Sequence, residues 1–176
     1  KSKIAHILER FFPLSYKTYV ELFFGAGGVF LNKSYHCKYN ILNDIDNLIY
    51  ELYTVMLDKK LSARLYYLLK NVPPHEKILR TLAVSMLQSP DIVYRVFAFI
   101  YRSEYSLYTR GGTMSSKPNS PSLLAMYSNV INKLSALNQK YSIVYYNDEY
   151  YNILQKIDTG SFDNLFVYAD PPYIGT

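Results

Sequence analysis

The feature that most constrains the fold is an apolar segment running straight into a glycine cluster. Tyr19-Val-Glu-Leu-Phe-Phe24 reads as a β-strand, and Gly25-Ala-Gly-Gly28 breaks it. A helix is predicted from Val29 to about Tyr35. Tyr39-Asn-Ile-Leu42 then reads as a second strand, closed by Asn43 and Asp44. Leu48, Ile49, Leu52, Val55 and Met56 fall on one helical face after it. Strand, glycine loop, helix, strand, acid and helix in that order begin an open α/β sheet.

The pattern then changes and later returns. Before the first strand, Ile4, Ile7, Leu8 and Phe11 predict a helix that Pro13 ends. Leu61 to Leu69 and Ile78 to Leu87 read as helices separated by Pro73 and Pro74, and Val93 to Tyr101 fits strand or helix equally. Thr109 to Asn119 is a polar loop rich in Gly, Ser and Pro. Ser120 and Pro121 suit the start of a helix whose face carries Leu124, Tyr127, Ile131 and Leu134. Tyr141 to Tyr146 predicts a strand, Tyr150 to Ile157 a helix, and Asn164 to Ala169 a nearly all-apolar strand of the kind buried in parallel sheets.

Charge marks the same division. The whole chain carries +5, but residues 59–134 carry 11 Lys and Arg against 3 Asp and Glu. That makes the middle +8 and the remainder −3. The expected organisation is therefore a discontinuous domain of 1–58 and 135–176 with a basic insertion at 59–134. A basic segment of this kind suits a polyanion such as nucleic acid; the plainer reading is a solvated surface. The 20 Tyr and the absence of Trp read as compositional bias of the source genome. No apolar run approaches the roughly 20 residues that cross a bilayer. With Cys37 alone, no internal disulfide can form, and a reducing cytoplasm fits.

Three short motifs carry chemistry. Glycine lets a cofactor approach the backbone closely, so Gly25 and Gly27, after a strand, make a candidate cofactor loop. Phe30 stands where the dinucleotide fingerprint has its third glycine, which argues against NAD. Asp44, 17 residues past Gly27, can accept both hydroxyls of a ribose, with Asp46 as competing candidate; Asp44 could equally be a helix cap. The sharpest signal is Asp170-Pro-Pro-Tyr173 at the C-terminal end of the last strand. Two prolines remove two backbone donors, and the carboxylate adds another acceptor. An amine entering this corner meets acceptors for both of its hydrogens, which makes a delocalised exocyclic nitrogen more nucleophilic. Tyr173 offers a flat face to an extruded base.

Glu21-Leu-Phe-Phe-Gly-Ala-Gly27, Asn43-Asp-Ile-Asp46 and Asp170-Pro-Pro-Tyr173, in this order, resemble the Dam-type (alpha class, D12) DNA adenine-N6 methyltransferases. The resemblance covers essentially the whole chain. It implies a Rossmann-like sheet, incomplete at the C-terminus, with a mostly helical target-recognition insertion. It implies S-adenosyl-L-methionine as cofactor and double-stranded DNA as partner, with no metal and no membrane, in a monomer of a restriction-modification or phage system. By resemblance, Phe23, Gly25, Ala26 and Gly27 line the cofactor and Asp44 binds its ribose. Asp148 or Glu149 contacts its adenine, and Asp170, Pro171, Pro172 and Tyr173 form the catalytic tetrad, with Asp170 also near the cofactor. Lys1 resembles the last residue of the family's N-terminal Gly-Gly-Lys motif. Tyr101 to Arg110 resembles the stretch leading to DNA, without its usual Asn-Gly pair. Arg102, Arg110 and Lys117 are the expected DNA contacts. The family continues past the tetrad, so the chain reads as cut at both ends, with uncertain activity by itself.

Other chemistries fit less well. C5-cytosine methylation needs a Cys nucleophile, usually after Pro, whereas Cys37 follows His36. His6, His36 and His75 have no metal-ligand spacing. N4-cytosine enzymes more often begin the tetrad with Ser. Two rivals remain: a methyltransferase of the same fold acting on RNA or protein, and a non-catalytic DNA-binding relic.

Overall fold

The computed structural model describes residues 4–105, 122–158 and 164–171. The chain divides into two compact units, one of Lys1–Tyr50 with Lys133–Thr176 and one of Glu51–Asn132. The divisions fall inside helices α2 (Asn47–Leu57) and α6 (Ser122–Lys140), several residues from the boundary suggested by charge at one side.

The first unit is built on a parallel sheet of four strands: β1 (Thr18–Glu21), β2 (Tyr39–Asn43), β3 (Ser142–Tyr146) and β4 (Leu165–Tyr168). Their spatial order is β3-β2-β1-β4. Val20 lies opposite Ile41 in one neighbour and Val167 in the other, so the register is continuous across the sheet. Every residue of β1 is buried, as an inner strand covered on both faces requires. β4 was expected to be buried on sequence grounds, yet it is only half-buried, because it pairs with β1 along one edge alone.

Alternation sorts the strand side chains into two layers. On one face Val20, Leu22 and Ile41 pack with Ile153 and Ile157 of α7 (Tyr150–Asp158), beside Leu165 and Val167. On the other, Tyr19 packs against Phe12, Tyr16, Phe30 and Phe166, an aromatic layer with centroid separations of 5.8 to 6.5 Å. The phenol of Tyr19 donates to the buried Glu21 carboxylate at 2.7 Å. Lys33, also buried, places its ammonium 4.3 Å from the Tyr19 ring and donates to the Tyr35 carbonyl.

The N-terminal helix is short: α1 (Ala5–Leu8) passes into a 3-10 turn at Glu9–Phe11. The helix predicted for Val29 to Tyr35 does not form. The segment is a series of turns in which Asn32 and Lys33 both donate to the Val29 carbonyl. Val29, Phe30, Leu31 and Lys33 are all buried, and a surface helix buries one stripe only. Chain burial here overrides helical spacing.

In the second unit, α3 (Lys59–Asn71), α4 (Ala83–Met86) and α5 (Ile92–Tyr105) enclose Leu65, Leu69, Leu79, Val93, Val96 and Phe97. Asp58 caps α3 through the Lys60 and Leu61 amides. The helix expected over Ile78 to Leu87 opens with a π-helical turn, Ile78–Leu82, before α4. The ambiguous Val93 to Tyr101 segment is helical, within α5. Tyr101 pins the Pro73-Pro74 break, accepting from the His75 amide and donating to the Pro73 carbonyl. Buried Glu51 holds Arg95 through both carboxylate oxygens at 2.7 to 3.2 Å. Among the described residues, no helix is long and apolar enough to cross a membrane.

Candidate active site

In a parallel sheet all strands end at one edge, so the loops leaving β1, β2, β3 and β4 gather there. The β1 exit carries Phe23 to Gly27. Gly25 and Gly27 adopt φ of 53° and 66°, the left-handed region that glycine enters without cost. The Gly27 amide closes a turn on the Phe24 carbonyl at 3.0 Å, and Phe24 is tied to β2 through the Asn43 carbonyl at 2.8 Å. A side chain added at Gly25 would meet no protein atom within 4 Å. The backbone therefore borders open space there, as a loop that cradles a ligand must. Ala26 is exposed at the tip.

At the β2 exit the two acids point in different directions. Asp44 accepts from the Gly25 amide at 2.6 Å through one oxygen and from the Asp46 amide at 2.9 Å through the other. Asp46 instead caps α2, its carboxylate accepting from the Leu48 amide at 2.9 Å. Asp44 thus belongs to the glycine loop and Asp46 to the helix. Asp44 stays partly exposed, and each oxygen retains capacity to accept from a ligand.

At the β3 exit, Asp148 and Glu149 differ sharply. The Asp148 carboxylate accepts from the Asn152 side chain, the Lys156 ammonium and the Glu149 amide at 2.7 to 2.9 Å. Those hydrogen bonds, led by Asn152 and then Lys156, hold its carboxyl down at about 2. Glu149 is exposed, directly before α7. The Tyr150 ring that follows meets Phe23 at 5.6 Å, joining the β3 exit to the glycine loop.

The β4 exit carries Asp170 and Pro171. The Leu22 amide donates to the Tyr168 carbonyl at 3.2 Å, tying this exit to β1. The Tyr168 phenol donates to Asp170 Oδ2 at 3.2 Å, so this carboxylate is oriented from within its own strand. Asp170 is partly exposed and Pro171 exposed. Four acidic or glycine-bearing exits thus share one sheet edge. A family profile described as D12 class N6 adenine-specific DNA methyltransferase matches residues 1–176. The chain belongs to that family. No curated protein matches it.

A D12 methyltransferase acts on DNA and uses a methyl donor, and the chain's edge loops fit such a group: an open cradle at Gly25 and an accepting carboxylate at Asp44 beside it. The structure brings Phe23, Gly25, Ala26, Gly27, Asp44, Asp148, Glu149, Asp170 and Pro171 to the same edge of the sheet. Lys1, Pro172 and Tyr173 lie outside the described residues, as do Arg110 and Lys117. Arg102 is half-buried in α5, in the other unit. Sequence reasoning passed over Asn147 and Tyr168 at this edge, and placed Asn43 only as the end of a strand and the first residue of a motif. Asn43 carried the one usable signal, a polar residue ending an apolar strand.

Proposed function

We propose that this chain transfers a methyl group from S-adenosyl-L-methionine to the N6 amine of adenine in double-stranded DNA. The observation that carries the reading is the pairing at one sheet edge of the open Gly25 cradle, gripped by Asp44, with the carboxylate of Asp170. When bound, the cofactor supplies an electrophilic methyl group. Asp44 accepts the ribose hydroxyls while its other lone pairs stay on the Gly25 and Asp46 amides. Phe23, Ala26 and Gly27 line the same cradle. Glu149 is the better candidate than Asp148 for the cofactor's adenine, since Asp148 is already consumed by three donors.

On the substrate side, Asp170 and the carbonyls of Pro171 and Pro172 accept the two N6 hydrogens. That would raise electron density on nitrogen and oppose the positive charge that builds as its bond to the methyl carbon forms and the methyl–sulfur bond breaks, the electron pair leaving on the donor's sulfur. One N6 proton then leaves through the Asp170 carboxylate to water. Tyr168, donating to Asp170 Oδ2, orients this carboxylate. Tyr173 stacks on the base once it has swung out of the duplex. The basic segment 59–134, with Arg102, Arg110 and Lys117, meets the DNA as a target-recognition insertion. The chain acts as a monomer in the cytoplasm, serving a restriction-modification or phage system.

The test is transfer of label from S-adenosyl-L-methionine into unmethylated duplex DNA. Asp170→Ala should abolish transfer while DNA binding stays within about threefold, since the contacts that position DNA lie elsewhere. Methylation that survived Asp170→Ala, or label that entered only RNA or protein, would overturn the assignment.

A further inference from the structure

Between β2 and β3 the backbone ladder ends early. Asn43 pairs with Tyr146, and the Asp44 amide donates to the Tyr146 carbonyl at 3.2 Å. Beyond that point two side-chain amides take over. Asn43 Oδ1 accepts from the Asp148 amide at 3.1 Å. Asn43 Nδ2 donates to the Asp148 carbonyl at 2.9 Å and to the Leu22 carbonyl at 3.1 Å. In the opposite direction, Asn147 Nδ2 donates to the carbonyls of Asp44 and Ile45 at 2.9 and 3.0 Å. Each exit thus holds the backbone of the other.

Only asparagine meets both demands. The Asp148 amide needs an acceptor and two carbonyls need donors, so one amide orientation satisfies all three. Aspartate has no donor, and glutamine is one methylene longer than the gap. Asn43 is 1% exposed, so it touches no ligand itself. What it holds is the distance between Asp44 and the Asp148-Glu149 loop. A nucleoside presents its ribose hydroxyls and its adenine amine at a separation fixed by covalent bonds. The two loops must match that separation before the ligand arrives, or part of the binding energy goes into ordering them.

We propose that Asn43 and Asn147 are positioning residues for the cofactor, a reciprocal amide clasp that sets the spacing between its ribose-binding and adenine-binding loops. The proposal rests on the cofactor reading above. Asn147 is exposed, so Asn147→Ala should still fold, losing about 1 kcal/mol of stability with its two hydrogen bonds. Its affinity for S-adenosyl-L-methionine, measured by titration calorimetry on the full chain, should nevertheless fall about tenfold, two hydrogen bonds to the Asp44 loop having gone. Asn43→Asp should lose at least as much, and Asn147→Ser, which keeps one donor, should recover part of the loss. Turnover at saturating cofactor and binding of unmethylated duplex DNA without cofactor should stay near wild type. Unchanged cofactor affinity in Asn147→Ala, with wild type binding normally, would overturn the clasp and leave the function standing. Wild type failing to bind S-adenosyl-L-methionine at all would overturn the function first, and the clasp with it.

Discussion

Gly25 separates what the fold needs from what the cofactor needs. Its φ is 53°, and a Cβ there would meet no protein atom within 4 Å. Gly25→Ala therefore costs left-handed backbone strain and nothing from packing. That strain is about 1 to 2 kcal/mol. In a chain of 176 residues each 1 kcal/mol lowers Tm by about 2 to 4 °C, so a drop of about 2 to 8 °C is expected. The cofactor should respond far more. The added methyl occupies the space that the ligand must enter, and a clash of about 1 to 3 kcal/mol lowers affinity by roughly 5- to 150-fold. Gly25→Asn sharpens the comparison, because Asn tolerates the left-handed region better than Ala yet carries the same Cβ. Urea denaturation and titration with S-adenosyl-L-methionine should show Asn recovering stability but not affinity. If Asn restored affinity as well, the loss in the Ala variant would be loop strain, and the cradle argument would be wrong. Affinity within threefold of wild type in both variants would refute it outright.

Two further outcomes follow from the packing. Glu51 is 6% exposed and holds Arg95 bidentately, with Arg95 also donating to the Ser89 carbonyl. Glu51→Ala removes the carboxylate that grips that guanidinium and leaves the more distant Asp91 charge, and urea denaturation should show a loss of about 2 kcal/mol; a loss under 1 kcal/mol would mean water replaces the carboxylate freely. His36 is half-buried, with its ring stacked on Tyr141, and burial followed by the nearby Lys33 charge pushes it from 6.5 down to about 4. The unfolded chain takes up that proton first as pH falls, so stability is lost between about pH 6.5 and 4. A pH series of Tm should show that limb flattened in His36→Gln, and a limb of equal slope in the variant would remove His36 as its cause.

The parallel sheet was legible because its strands are read by composition and its glycine loop by position. Thr18–Glu21, Tyr39–Asn43, Ser142–Tyr146 and Leu165–Tyr168 fall within a residue or a few of the expected segments. The turns at Val29 to Lys33 were not legible. Helical spacing predicts which residues could share a stripe, and it is silent when tertiary packing buries consecutive ones. The same limit applied to Asp44 and Asp46. Both suit a ribose, the cap reading is open for Asp44, and the structure instead turns Asp46 to the helix. The choice between Asp148 and Glu149 is of this kind too, because it depends on Asn152 and Lys156 reaching back along α7. The bridging role of Asn43 and Asn147 was hidden for a further reason: a contact between loops 102 to 105 residues apart leaves no local pattern.

Charge is where sequence and structure together say more than either alone. The count of +8 over 59–134 treats every cation as equal. In the structure Arg95 is committed to buried Glu51, whereas Arg64 pairs with Asp91 and Arg80 with Glu76 at the surface. A surface pair is worth about 0 to 1 kcal/mol, so a phosphate can displace either carboxylate at small cost. Lys59, Lys60, Lys70 and Lys77 are exposed point charges suited to phosphate, which positions DNA without reading its sequence. Reading a base edge asks for a planar fork, which lysine lacks. Arg64 and Arg80 carry that fork with surface partners, whereas the fork of Arg95 is held by a buried carboxylate.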